Sequence, residues 1–106
     1  PYGIRILNVN PSNPAAYLRA VTNLEEAFHA NGFDRIQFDV HRPIASGDIG
    51  YYTVIAIAPS LRVLGEAFAA LTSEAWARDA YSLVTASRSS PVSDKAYRCQ
   101  PLYAAE

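Results

Sequence analysis

A chain of 106 residues, half of them hydrophobic and 11% aromatic, is long enough for one core and too apolar to stay disordered. The formal net charge is −1, and eight arginines plus Lys95 are scattered without forming a basic stripe, which excludes a nucleic-acid binder. The single cysteine, Cys99, excludes an internal disulfide, and no apolar run reaches the roughly 20 residues that span a bilayer, so the expected setting is the cytoplasm, with no membrane partner.

Gly3 to Asn10 predicts a first strand, with Ile4 and Ile6 on one face and Leu7 and Val9 on the other. Asn13 before Pro14 is a helix start, an Asx cap followed by proline at the first helical position. Tyr17, Val21, Leu24 and Phe28 then recur at helical spacing, with Arg19, Glu25 and Glu26 largely off that stripe. Asn31-Gly32 supplies a left-handed stop.

Asp34 to Arg42 alternates: Ile36, Phe38 and Val40 face one way, and Arg35, Gln37, Asp39 and His41 the other. Pro43 ends this strand, and Ala45-Ser46-Gly47-Asp48 makes a loop of hairpin length. Tyr51 to Ala58 is apolar on both faces, which marks a central strand covered on both sides. After Pro59-Ser60 the period turns helical, with Leu61, Leu64, Phe68 and Leu71 as the stripe and Ser60 as the cap. Thr72-Ser73 predicts a break and a second cap, followed by a shorter helix with Trp76, Ala80 and Leu83 inward and a Glu74–Arg78 pair across one turn. Ala86 to Asp94 reads as a loop, and Lys95 to Tyr103 as a last strand that Pro101 places at a sheet edge.

This order predicts one α+β domain over residues 1–106: a ferredoxin-like βαββαβ fold, with a four-stranded antiparallel sheet and its helices on one face. The doubly apolar third strand then lacks cover on its other side. A second copy of the same sheet provides it, so the chain is expected to be its own partner, a homodimer through the open sheet face.

The segment from Tyr51 through Trp76 resembles the dimeric α/β-barrel superfamily. The likeness rests on the Ala58-Pro59-Ser60-Leu61 junction and the Leu71-Thr72-Ser73-Glu74-Ala75-Trp76 break, and within the superfamily it is nearest to NIPSNAP-like proteins. Antibiotic-biosynthesis monooxygenases that work without a cofactor, haem-degrading enzymes and polyketide cyclases belong to the same superfamily. The resemblance therefore implies a pocket between sheet and helices, a small apolar or aromatic ligand, and no tightly held cofactor.

Several side chains are candidates for chemistry, each with a plainer reading beside it. Asn8 and Asn10 share the face of Ile4 and Ile6; they either orient a polar ligand or simply end the strand. Monooxygenases of the resembled superfamily use an Asn together with a Trp, which makes Trp76 the partner candidate; the alternative is core packing. His41, on the row of Asp39, has the chemistry of a general base or else faces solvent or a dimer seam. His29 reads as a cation at a helix C-terminus, and two histidines so placed make no metal-ligand spacing. Tyr51, Tyr52, Tyr81, Tyr97 and Tyr103 suit an aromatic ligand but are also ordinary sheet residues, and Arg98 could meet Asp39 or a ligand carboxylate.

Three functional expectations follow. The first is a dimeric α/β-barrel protein that binds a small apolar or aromatic molecule and, if catalytic, is a cofactor-independent monooxygenase in which Asn8, Trp76 and a tyrosine orient the substrate. The second is a binding or interaction protein without turnover. The third is a tautomerase using Pro1, because an N-terminal proline leading into a strand resembles that superfamily. A cavity of roughly 300 Å³ or more with convergent polar groups favours a ligand, whereas an interior filled by Phe28, Phe68 and Trp76 opposes an enzyme.

Overall fold

A computed structural model describes residues 2–42, 52–88 and 93–99. Its elements run β1 (Tyr2–Val9), α1 (Pro14–Ala30), β2 (Gln37–His41), β3 (Tyr52–Ala58), α2 (Leu61–Ser73), α3 (Ala75–Ala86) and β4 (Ser93–Cys99). The four strands form one antiparallel sheet in the order β2-β3-β1-β4, with Ile6 opposite Ile55, Arg5 opposite Ala96 and Asp39 opposite Ile55. This is the expected ferredoxin-like topology, with the expected second helix split in two.

The α1 start follows its sequence signal: Asn13 Oδ1 accepts from Ala16 N at 3.2 Å, and Pro14 occupies the first turn. Tyr17, Val21, Leu24 and Phe28 are all buried, as their spacing requires. Gly32 ends the turn with a φ of 95°, a left-handed conformation that glycine adopts without strain. Strand β2 begins later than expected, since Asp34 and Arg35 lie in a turn. Two polar contacts from α1 hold this edge strand: His29 Nε2 pairs with the Ile36 carbonyl at 2.7 Å, and the Phe38 N–H donates to the Glu25 carboxylate at 3.0 Å. His29, in the last turn of α1, is thus a tether between the helix and the edge strand.

The strands divide their side chains cleanly. Leu7 and Val9 of β1 and Val54, Ala56 and Ala58 of β3 are buried beneath the helices. Ile4, Ile6, Ile55 and Ile57 lie half-buried on the opposite, open face. The double apolar character of β3 is real. Gly3 faces the helices where β1 passes the start of α2, and a Cβ there would lie 2.8 Å from both Leu61 Cα and the Ser60 carbonyl oxygen.

Helix α2 starts as predicted, with Ser60 Oγ accepting from Val63 N at 3.1 Å. The α2–α3 junction differs from expectation. Thr72 and Ser73 both turn back to the Ala69 carbonyl, and the cap position before α3 is Glu74, which makes no side-chain cap bond. Among the described residues no ion pair joins Glu74 to Arg78. The α3 face is also rotated from the expected one: Ala77 and Val84 are buried while Leu83 is 56% exposed. The short helix starts one residue beyond the expected cap, which shifts the phase of its stripe.

Strand β4 begins two residues before the expected Lys95, because Asp94, read as loop, is drawn into the sheet by Arg5 of β1. The expected end at Pro101 to Tyr103 lies outside the described residues. At the other end of the helix layer, Ser12 N donates to the Ser87 carbonyl at 3.0 Å, and Pro11 and Arg88 form an isolated bridge. That clasp fixes where the Arg88 side chain starts.

Candidate functional site

Between the sheet and the helix layer lies a narrow cleft. Leu7, Val54 and Ala56 form its floor, α1 and α3 its roof, and Phe68 of α2 one wall. Four polar side chains reach this apolar space: Arg5, Tyr17, Tyr81 and Arg88. Arg88 Nη2 donates to the Tyr81 hydroxyl at 3.2 Å, while the Arg88 Nε is buried and has no partner among the described residues. A buried donor without a partner costs about 1–3 kcal/mol, and more when it belongs to a charged group. On the opposite wall Arg5 makes a two-pronged contact with Asp94, Nε to Oδ1 at 2.8 Å and Nη2 to Oδ2 at 2.5 Å. The same guanidinium lies over the Phe68 ring, 4.1 Å from its centroid.

The electrostatics follow from this packing. Hydrogen bonding to Arg5 holds the Asp94 carboxyl below the usual carboxylate range against the opposing effect of burial, and the charges of Arg5 and Arg88 add to the lowering. Burial pushes the Tyr17 phenol up; the Arg88 charge pulls it back, and Tyr81 raises it further. The Arg5 guanidinium, raised chiefly by its hydrogen bond to Asp94, stays charged.

The enclosed part of the cleft measures about 30 Å³, room for a water or two and far short of a ligand pocket. A much larger groove, about 410 Å³, runs between α2 and β4, lined by Leu61, Leu64, Gly65, Asp94 and Ala96. Arg5 and Phe68 line both spaces and separate them.

Of the residues singled out in the sequence, Tyr81 lines the cleft, and the other described ones are placed elsewhere. Asn8 lies on the open face, where its Oδ1 accepts from the Thr53 hydroxyl at 2.8 Å, with the sheet between it and the cleft. Asn10 is exposed just beyond β1. Trp76 is half-buried and packs edge-on against Phe28 at 5.6 Å between ring centroids, with Phe33 at 6.3 Å. Asn8 and Trp76 therefore do not meet at one site. His41 is exposed on the open face beside the Gln37–Asp39 row, and among the described residues no hydrogen bond joins it to Asp39. Tyr52 packs against the core on the helix side of β3. Pro1, Tyr51, Tyr103 and the side chain of Arg98 lie outside what is described. Among the described residues no group of histidine, cysteine and carboxylate side chains could hold a metal ion, and no helix is long and apolar enough to cross a membrane.

The cleft residues were present in the sequence without being read as a set. Tyr17 belonged to the α1 stripe, and Tyr81 and Arg88 are seven apart, two helical turns, a spacing that puts both on one face. Arg5 interrupts the inward row of Gly3, Leu7 and Val9. A charge on an otherwise apolar strand face was the available signal.

No family model matches the chain, and no curated protein matches it in sequence. Solved structures do match its fold. SnoaB, a cofactor-independent oxygenase from Streptomyces nogalater, superposes with a TM-score of 0.70 at 10% identity, covering 94% of each chain. A proposed antibiotic biosynthesis monooxygenase from Caulobacter crescentus CB15 gives a TM-score of 0.62 at 15% identity, over 94% of this chain and 89% of that one. The chain shares the fold of these two structures. A dimeric ferredoxin-like protein of unknown function from Thermobifida fusca YX shares that fold, with a TM-score of 0.55 at 15% identity and 92% coverage of both chains. Identities this low establish the ferredoxin-like architecture and leave the chemistry to be argued from the site.

Proposed function

We propose that this chain works as a homodimer closed through its open sheet face, and that it holds a small, mainly apolar or aromatic molecule in the cleft between sheet and helices. The observation that carries the ligand reading is the Arg88 Nε, a buried charged donor with no partner among the described residues, in an apolar cleft beside two phenols. The dimer reading rests on the isoleucine patch of the open face, with Gln37, Asp39 and Lys95 on its flanking strands, and on the dimeric state of fold-sharing proteins. Because the enclosed space is only about 30 Å³, a ring-sized ligand requires the Arg5–Phe68 wall to move.

Isotope-labelled protein titrated with 2-naphthol tests the cleft. Amide shifts should concentrate at Tyr17, Val54 and Tyr81. Shifts confined to the open face, or none at millimolar ligand, would remove the reading. Oxygenation of the bound molecule without a cofactor is the reaction that the shared fold of SnoaB suggests, and dioxygen uptake by the protein with a naphthol or quinol substrate tests it. A second reading, binding without turnover, draws support from two observations: the tight Phe28–Trp76 packing, and the sheet that separates Asn8 from the cleft.

A further inference from the structure

Two guanidinium groups flank the cleft, and one carboxylate answers them. Asp94 is engaged by both prongs of Arg5, and among the described residues Arg88 has a phenol at Nη2 and nothing at Nε. The Arg88 and Asp94 charges nonetheless sense each other, as do Arg5 and Tyr81, so the four groups form one electrostatic cluster with an excess positive charge. A partly buried positive cluster with an unused donor fits an anionic oxygen better than a neutral one.

The route into that cluster is also visible. Arg5 and Phe68 line both the cleft and the α2–β4 groove. Arg5 is held on the groove side by Asp94, whose carboxylate is itself exposed to solvent. An anion arriving along the groove meets Arg5 first, where it can exchange with Asp94. The guanidinium that Asp94 holds is the one that covers the Phe68 ring, so the ion pair and the wall share a single side chain.

We infer that the ligand is a small monocarboxylate with an apolar body, which takes Asp94's place on Arg5 on entry and is held in the opened cleft by Arg88 with Tyr81. This rests on the cleft reading above. Tyr17, with its phenol inside the cleft, contributes a further hydroxyl at the polar end, and Val21, Leu24 and Val54 supply the apolar wall. The exchange swaps one carboxylate for another, so no buried charge is left uncompensated while the gate is open.

Isothermal titration calorimetry with phenylacetate and its uncharged isostere phenylacetamide decides the matter on the unmodified protein. Phenylacetate should bind at least about tenfold more tightly, as a charge-assisted contact to Arg88 requires. Arg88→Gln should bring the two ligands to near parity. Asp94→Asn, which removes the competing carboxylate, should tighten phenylacetate several-fold and by a larger factor than phenylacetamide. Equal affinity of both probes for the unmodified protein overturns the carboxylate and leaves the cleft standing. Binding of neither at millimolar concentration overturns the cleft as well. Weaker phenylacetate binding by a folded Asp94→Asn variant overturns the exchange at Arg5. The comparison of the two probes needs no variant, so an unfolded Arg88→Gln protein does not blunt it.

Discussion

Gly3 of β1 and Gly65 of α2 should respond oppositely to the same substitution. Gly3 lies where β1 passes under the start of α2, and an added methyl would sit 2.8 Å from Leu61 Cα and the Ser60 carbonyl oxygen and 3.0 Å from Leu61 N. All three are backbone atoms, and Ser60 also caps the helix through Val63, so the obstacle cannot rotate away as a side chain would. Overpacking of this kind costs about 1–3 kcal/mol, and Gly3→Ala should fall near the upper end, about 3 kcal/mol. Gly65 sits inside α2 with nothing within 4 Å of an added Cβ, so Gly65→Ala should stabilise by about 0.5–1 kcal/mol through helix propensity alone. Backbone entropy favours alanine at both sites, and only the close approach reverses the sign at Gly3. Urea unfolding at fixed protein concentration, with the midpoint compared at constant slope, measures both. A Gly3→Ala cost below about 0.5 kcal/mol, or a destabilising Gly65→Ala, would refute the argued packing of β1 against α2.

Three further outcomes are expected. Phe28→Ala, at a fully buried ring that contacts Phe33, Phe38 and Trp76, should cost about 3–5 kcal/mol in the same assay and blue- or red-shift the Trp76 emission. Asp94 has its carboxyl lowered by Arg5, so its pairing stabilises the fold above the ordinary carboxylate pKa and is lost as pH falls through the lower folded value; the stability gap between the unmodified protein and Asp94→Asn should be full at neutral pH and close progressively below about pH 4, and a gap that widens on acidification would contradict the pairing. Ile55→Lys, in the middle of the open face, should yield a monomer by light scattering with an unchanged far-ultraviolet circular dichroism spectrum; a monomeric unmodified protein would dispose of the dimer.

The fold was readable because its signals are local and redundant. Asn13-Pro14, Asn31-Gly32 and Ser60 each act on backbone groups within four residues, and the Tyr17-to-Phe28 stripe repeats its message three times over. Boundaries failed where a distant partner decides them. Asp94 is strand only because Arg5, far away in sequence, holds it, and Leu83 is outward only because the junction at Glu74 resets the helical phase. The site was harder still. Asn8 and Trp76 stood out as residue types, yet strand parity sets Asn8 on the far face and ring packing consumes Trp76. Tyr81 stands among the tyrosines that suit an aromatic ligand, but nothing in the sequence ties it to Tyr17 and Arg88, because what joins the three is a tertiary enclosure that no spacing rule encodes. The resemblance to the α/β-barrel proteins held for architecture, and the structural neighbours support it at that level, without singling out NIPSNAP-like proteins.

The strand order has a consequence for how the chain acquires its structure. Strand β1 is made before both of its neighbours, β3 (Tyr52–Ala58) and β4 (Ser93–Cys99). Its hydrogen-bonding edges therefore stay open until most of the chain exists, and the Arg5–Asp94 contact closes a loop of 89 residues. Such non-local closure is slow compared with helix formation, which favours a helical intermediate in which α1 forms early and β1 waits. Until β4 arrives, one edge of β1 is free to accept a foreign strand, so the last strand serves the nascent protein as a seal against misassembly.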